Sequence, residues 1–197
     1  MPTPTGVVWD ADPHTLAKHR LLQTYLAAWL PTLFHGGYGG VTYAEGFAGP
    51  GIYRGTEPGS PVIALRTFLG QHTLLASGRT VNIVLVEENR RRMVELRCQM
   101  GRALAKAPVA PAGISVEYVC GDHAEVLLPA LERIGAMRRP VFAFLDSYGG
   151  PDVPLDVARR IGSAPSSEVL VTFGTSFFIR FCEVQGHQEE GDRVLTA

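Results

Sequence analysis

Residues 81–87 read Val81-Asn82-Ile83-Val84-Leu85-Val86-Glu87, a near-continuous apolar run closed by an acid. It reads as a strand buried on both faces, as strands of parallel sheets are. On its N-terminal side lies Val41 to Glu45, a first strand followed by a glycine-rich loop from Gly46 to Gly59. On its C-terminal side come Ser115 to Val119, Val141 to Leu145 (VFAFL) and Glu168 to Phe173 (EVLVTF), each reading as a strand.

Helical periodicity fills the intervals. Ser60-Pro61 opens a helix to about Leu69, with Ser60 as its cap and Pro61 in its first turn. Asn89 to Leu104 places Met93, Leu96, Met100 and Leu104 on one face, and His123 to Ile134 and Pro154 to Ile161 complete the set. Ahead of the strands, His14 to Leu30 carries Leu16, Leu22, Tyr25, Leu26, Trp29 and Leu30 at helical spacing; Asp12 and Pro13 start it and Pro31 is expected to stop it. His35 and His72 read as loop residues, and Trp29, Phe142 and Phe144 as core.

This alternation makes βαβ units, a parallel sheet and helices on both of its faces. The expected fold is a Rossmann-like α/β domain over residues 1–197. A leading helix and loop occupy 1–40, the α/β core 41–181 with strand order 3-2-1-4-5, and a polar tail 182–197. The tail is too short for a helix and a strand pair, so either the sheet ends near five strands or the natural chain continues beyond Ala197.

Composition bounds the rest. The chain has 197 residues, a net charge of −1, 46% hydrophobic and 19% charged residues. Its apolar content excludes a wholly disordered chain, and its charge argues against a uniformly basic nucleic-acid binder. No run of about twenty apolar residues suits a membrane span. Cys98, Cys120 and Cys182 are odd in number and lack C-x-x-C spacing. That pattern gives neither a disulfide framework nor a structural metal, and fits a reducing cytoplasm.

Ligands of such sheets bind beyond the C-terminal ends of the strands. Those ends carry Glu45-Gly46-Phe47-Ala48-Gly49-Pro50-Gly51, Glu87-Glu88-Asn89, Gly121-Asp122-His123 and Asp146-Ser147-Tyr148-Gly149. Glycines let a backbone turn tightly and approach a ligand. The Gly-Lys-Ser/Thr of a phosphate loop is missing, so a zwitterionic or cationic ligand suits Glu45 better than an anion. Glu87 is a candidate acceptor for ribose hydroxyls or a surface acid at a charged helix start; Asp122 is a candidate amine acceptor or a helix cap. Lys18 is a candidate ligand contact or part of a solvated face, and Arg90-Arg91-Arg92 a candidate phosphate contact or a charged surface.

The ordered acids at 45, 87, 122 and 146 resemble the class I S-adenosylmethionine (SAM) methyltransferase pattern. That resemblance implies SAM as cofactor, with Gly46, Gly49 and Gly51 against its methionine part and Glu45 near its ammonium. It puts Glu87 on the ribose and Asp122 and His123 beside adenine. Over about residues 10–180 the chain resembles the three-Cys-motif partner (TcmP) family. The motifs are His14-Thr15-x-x-Lys18-His19, Gly46-Phe47-Ala48-Gly49-Pro50-Gly51-x-Tyr53, Gly55-x-Glu57-x-Gly59-Ser60-Pro61 and Phe144-Leu145-Asp146-x-Tyr148-Gly149. A weaker similarity runs to 23S rRNA adenine-N6 methyltransferases.

By that resemblance Phe47, Ala48, Tyr53 and Glu88 join the cofactor set, and Asp146, Tyr148 and Lys18 carry the chemistry. Asp146 would align an acceptor amine and Tyr148 would stack on a base. Amine methyltransferases carry Asp/Asn-Pro-Pro-Tyr/Phe there and the family Asp-Pro-Phe-Gly, whereas this chain has Asp-Ser-Tyr-Gly. The expectation is methyl transfer to a base in nucleic acid. The alternatives are a SAM-binding subunit without turnover, serving a separately encoded three-Cys-motif protein, and a module for another adenosine ligand.

Overall fold

The computed structural model describes residues 6–107, 113–147 and 153–172. The expected Tyr148, Cys182, the end of the last strand at Phe173 and the tail lie outside the described residues.

Five strands form one all-parallel sheet in the order β3-β2-β1-β4-β5. They are β1 (Gly40–Glu45), β2 (Thr80–Glu87), β3 (Ile114–Cys120), β4 (Val141–Leu145) and β5 (Glu168–Val171). The order is the expected one. Every residue of β1 and β4 is buried, which is why β4 reads as an apolar run; β1 buries Thr42 and Glu45 as well.

Successive side chains of a strand point to opposite faces, and the two faces carry separate cores. On one, Tyr43, Ile83, Leu85, Phe142 and Phe144 pack under three helices: α1 (Pro13–His35), α2 (Ser60–Leu69) and α4 (Arg90–Ala105). On the other, Ala44, Val84, Val86, Ala143 and Leu145 pack under α5 (His123–Arg133) and α6 (Leu155–Gly162). Trp29, Phe142 and Phe144 are core residues, as expected.

The expected start at Asp12 holds, and Asn89 proves to be a further cap. Asp12 Oδ1 accepts the Thr15 N–H at 2.6 Å, and Asn89 Oδ1 accepts those of Arg91 and Arg92 at 2.9 and 3.2 Å. Three expectations do not hold. The first helix runs through Pro31 to His35. A proline there leaves the carbonyl four residues back without its helical donor; the Gln71 side-chain amide donates to that Ala27 oxygen at 3.0 Å. The extra turn buries Phe34 completely. His35 is therefore a helical residue, and His72 opens a short helix, α3 (His72–Leu75), rather than a loop. Ser60 does not cap α2: Gly59 holds that position, and the Ser60 hydroxyl donates instead to Glu45 at 2.7 Å. Gly59 is required there because a Cβ would meet the backbone of Gly51 at 2.9 Å.

Candidate functional site

β1 and β4 are neighbours although β2 follows β1 in the chain, so the direction of winding reverses between them. A crevice opens at such a point, outside the C-terminal ends of the strands. Two adjoining cavities occupy this place.

The wider is a cleft of about 440 Å³, the size of a small-molecule site. It is lined by Gly46, Phe47, Glu87, Glu88, Arg92, Asp122, His123 and Ser147, among others. Glu87, at the end of β2, is 7% exposed. Its Oε2 accepts the Gly49 N–H at 2.9 Å and its Oε1 the Asn89 N–H at 2.8 Å. Each oxygen keeps a further lone pair. Burial pushes the carboxyl above its ordinary pKa, opposed by these backbone donors and by Arg92. Glu88 is exposed at the rim.

Asp122 caps α5, accepting the Ala124 N–H at 2.9 Å, while it also lines the cleft. The His123 ring stands 4.1 Å from the Phe47 ring, tilted by 43°, and together they make an aromatic wall. Nδ1 of His123 is 3.3 Å from Asp122, and its buried Nε2 has no hydrogen-bond partner among the described residues.

The narrower cavity is a crevice of about 40 Å³ lined by Trp9, Lys18, His19, Phe47, Ser60, Tyr53 and Asp146, with the glycine turn behind them. Phe47 belongs to both cavities, and Asp146 in the crevice directly precedes Ser147 in the cleft. Lys18 Nζ is 2.5 Å from Asp146 Oδ2, so α1 and the end of β4 are joined by a half-buried ion pair. Asp146 Oδ1 is buried without a hydrogen-bond partner among the described residues.

The glycine turn is shaped largely by the protein itself. Gly49 and Gly51 have φ of +62° and +74°, a region that favours glycine. A Cβ on Gly46 would meet Leu145 at 3.0 Å, and one on Gly51 would meet Leu96 at 3.0 Å. Ala48 is buried and its N–H donates to the Val86 carbonyl at 2.8 Å. Glu45 is 1% exposed, and its two oxygens accept the hydroxyls of Tyr43 and Ser60. Burial pushes its carboxyl up to about 8, against the lowering effect of those hydroxyls.

Two residues that the sequence named only within a motif and a charged run prove to be buried beside the cavities. His19 is 6% exposed, packs 5.6 Å from the Tyr53 ring and is held below its ordinary pKa by burial. Arg92, within a run that reads as charged surface, is 8% exposed. Its Nε and Nη2 donate to the Gly6 carbonyl at 3.2 and 3.1 Å and its guanidinium lies 4.9 Å from the Trp9 ring. Arg90 and Arg91 are exposed, as a surface run would be. The apolar and aromatic character of residues 6–9 was the one available signal for a partner.

No helix among the described residues is long and apolar enough to cross a membrane, and no cluster of three metal-ligating side chains occurs among them. Comparisons with protein-family models, with curated proteins and with solved structures found no match to this chain.

Proposed function

We propose that the cleft binds S-adenosylmethionine and that the chain is a methyltransferase-like protein acting on a base in nucleic acid. The observation that carries this reading is the convergence of Glu87, Asp122, His123 and Phe47 on one ligand-sized cleft at the winding reversal. Their chemistry fits an adenosyl group. Glu87 offers lone pairs to ribose hydroxyls, the Phe47–His123 wall offers a face to a flat base, and His123 Nε2 has no partner among the described residues. SAM brings the activated methyl group; the residues of this chain hold, orient and desolvate. Lys18 and Asp146 line the crevice that adjoins the cleft, and Asp146 directly precedes the cleft residue Ser147.

A second reading, a SAM-binding subunit serving a separately encoded partner, is favoured by one observation. Asp146 has one oxygen on Lys18 and the other buried, which leaves it poorly disposed toward an acceptor amine. Tritium transfer from labelled SAM to total RNA and DNA, with Asp146→Ala as control, separates the two. Label that enters nucleic acid and disappears with the variant supports the enzyme. SAM binding without label in any pool supports the subunit.

A further inference from the structure

We infer that the outer face of α4 is a docking surface for the phosphate backbone of a nucleic-acid strand. The inference rests on the nucleic-acid half of the reading above and assigns the surface that holds such a substrate.

Charge is distributed unevenly along the chain. Residues 90–106 hold six basic side chains and one acid, a net charge of +5, whereas the whole chain carries −1. The rest of the chain therefore carries −6. An anionic polymer responds to such a local field and not to the near-neutral total.

The fold turns these charges outward and leaves them unpaired. Arg92 points inward to Gly6 and Trp9, but Arg90, Arg91, Arg97, Arg102 and Lys106 are exposed. Among the described residues none of these five forms an ion pair, whereas Arg54, Arg133 and Arg160 each do. Glu95, the acid of this helix, accepts the Gln99 side-chain amide at 2.7 Å instead. Arg90 and Arg91 stand in the first turn, which carries no acid. That is the positive end of the helix dipole, where a cation weakens the helix, so helix stability does not account for them.

The shape of the charge selects the ligand. At helical spacing Arg90 and Arg97 lie along one flank of the face and Arg91 and Arg102 along the other. From Arg90 to Arg102 the helix rises about 18 Å, a length of about five phosphates along one strand. Arginine forks match phosphate oxygens two at a time. Arg97 is held in advance, with its guanidinium 4.7 Å from the centre of the Tyr118 ring. A membrane-surface helix shows a broad apolar face, but here Val94 is the one large apolar side chain exposed.

The surface also leads to the cleft. Arg90, Met93, Val94 and Cys120 line an open hollow of about 520 Å³ together with Glu88 and Gly121, and those two line the cleft as well. A strand held along α4 thus reaches the rim of the proposed adenosyl site.

The test is fluorescence anisotropy with a labelled mixed-sequence single strand of about 20 nucleotides, as RNA and as DNA, over about 0.05–0.5 M salt. Wild type is compared with Arg91→Gln/Arg97→Gln/Arg102→Gln. The control, Arg138→Gln/Arg159→Gln/Arg160→Gln, makes the same change of charge on the opposite face of the sheet. Circular dichroism reports that both variants are folded. Wild type should bind at least one strand, and the control should bind like it. The α4 variant should bind about a hundredfold more weakly at about 0.1 M salt, with a salt slope smaller by about 2, as loss of three phosphate contacts demands. An α4 variant that binds like wild type, or equal losses in both variants, overturns the inference and leaves the nucleic-acid reading standing. Polyglutamate that displaces the strand as readily as unlabelled strand does overturns it in favour of an acidic protein partner. Wild type that binds neither strand overturns the inference and the nucleic-acid reading together, while titration with S-adenosylhomocysteine tests the adenosyl reading apart.

Discussion

Glu87 Oε2 accepts the backbone N–H of Gly49 at 2.9 Å, which fastens the glycine turn after β1 to the end of β2. The same carboxylate starts α4 through the Asn89 N–H. One side chain thus shapes the floor of the cleft and faces into it. Glu87→Ala leaves two backbone donors without their charged acceptor and should cost about 1.5–3 kcal/mol in urea denaturation. Hydrogen exchange at the Gly49 and Asn89 amides should accelerate more than at the β1 amides; uniform protection would contradict this fastening.

Gln71 stands in for the donor that Pro31 lacks. Gln71→Ala should cost about 0.5–1.5 kcal/mol. Pro31→Ala restores a backbone N–H to the Ala27 oxygen, so in that background the Gln71 substitution should cost almost nothing. A double-mutant cycle by urea denaturation reads this coupling, and additive costs would contradict it.

The buried Glu45 predicts a specific pH dependence. Its folded pKa of about 8 exceeds the ordinary 4.5, so between those values the folded chain holds a proton that the unfolded chain has released. That contribution is fully present below about 4.5 and is lost as pH rises through 8. Its slope approaches one proton, about 1.4 kcal/mol per pH unit. Glu45→Gln should remove this slope and be more stable than wild type above pH 8, in chemical denaturation across the range.

Arg92 clasps the segment that carries Trp9 across the crevice. The chain has two tryptophans, and Trp29 is buried, so Trp29→Phe isolates Trp9 as a fluorescent reporter. Arg92→Met in that background should raise acrylamide quenching of Trp9 and cost about 1–3 kcal/mol of stability. Unchanged quenching would mean that the segment is held by other contacts, such as the Arg54 N–H on the Trp9 carbonyl at 2.9 Å.

The central strands were legible because strands buried on both faces are mostly apolar, as in VNIVLV and VFAFL. Asp12 and Asp122 were legible as candidate caps because capping is local. What escaped the sequence depends on distant partners. Pro31 reads as a stop until Gln71, forty residues on, supplies the missing donor. Arg92 reads as solvated until Trp9 covers it. Ser60 reads as a cap until Glu45, buried beneath it, takes its hydroxyl. The acids at the strand ends were named from the sequence. That Glu45 is sealed, while Glu87 and Asp146 line cavities, follows only from packing.

The central claim is that the cleft around Glu87 holds an adenosyl ligand. Calorimetric titration of S-adenosylhomocysteine into wild type and Glu87→Gln tests it most directly. The account predicts one site per chain in wild type and binding roughly ten- to a hundredfold weaker in the variant, as loss of charge-assisted bonds to ribose demands. Wild type that does not bind, or a variant that binds equally well, would contradict it.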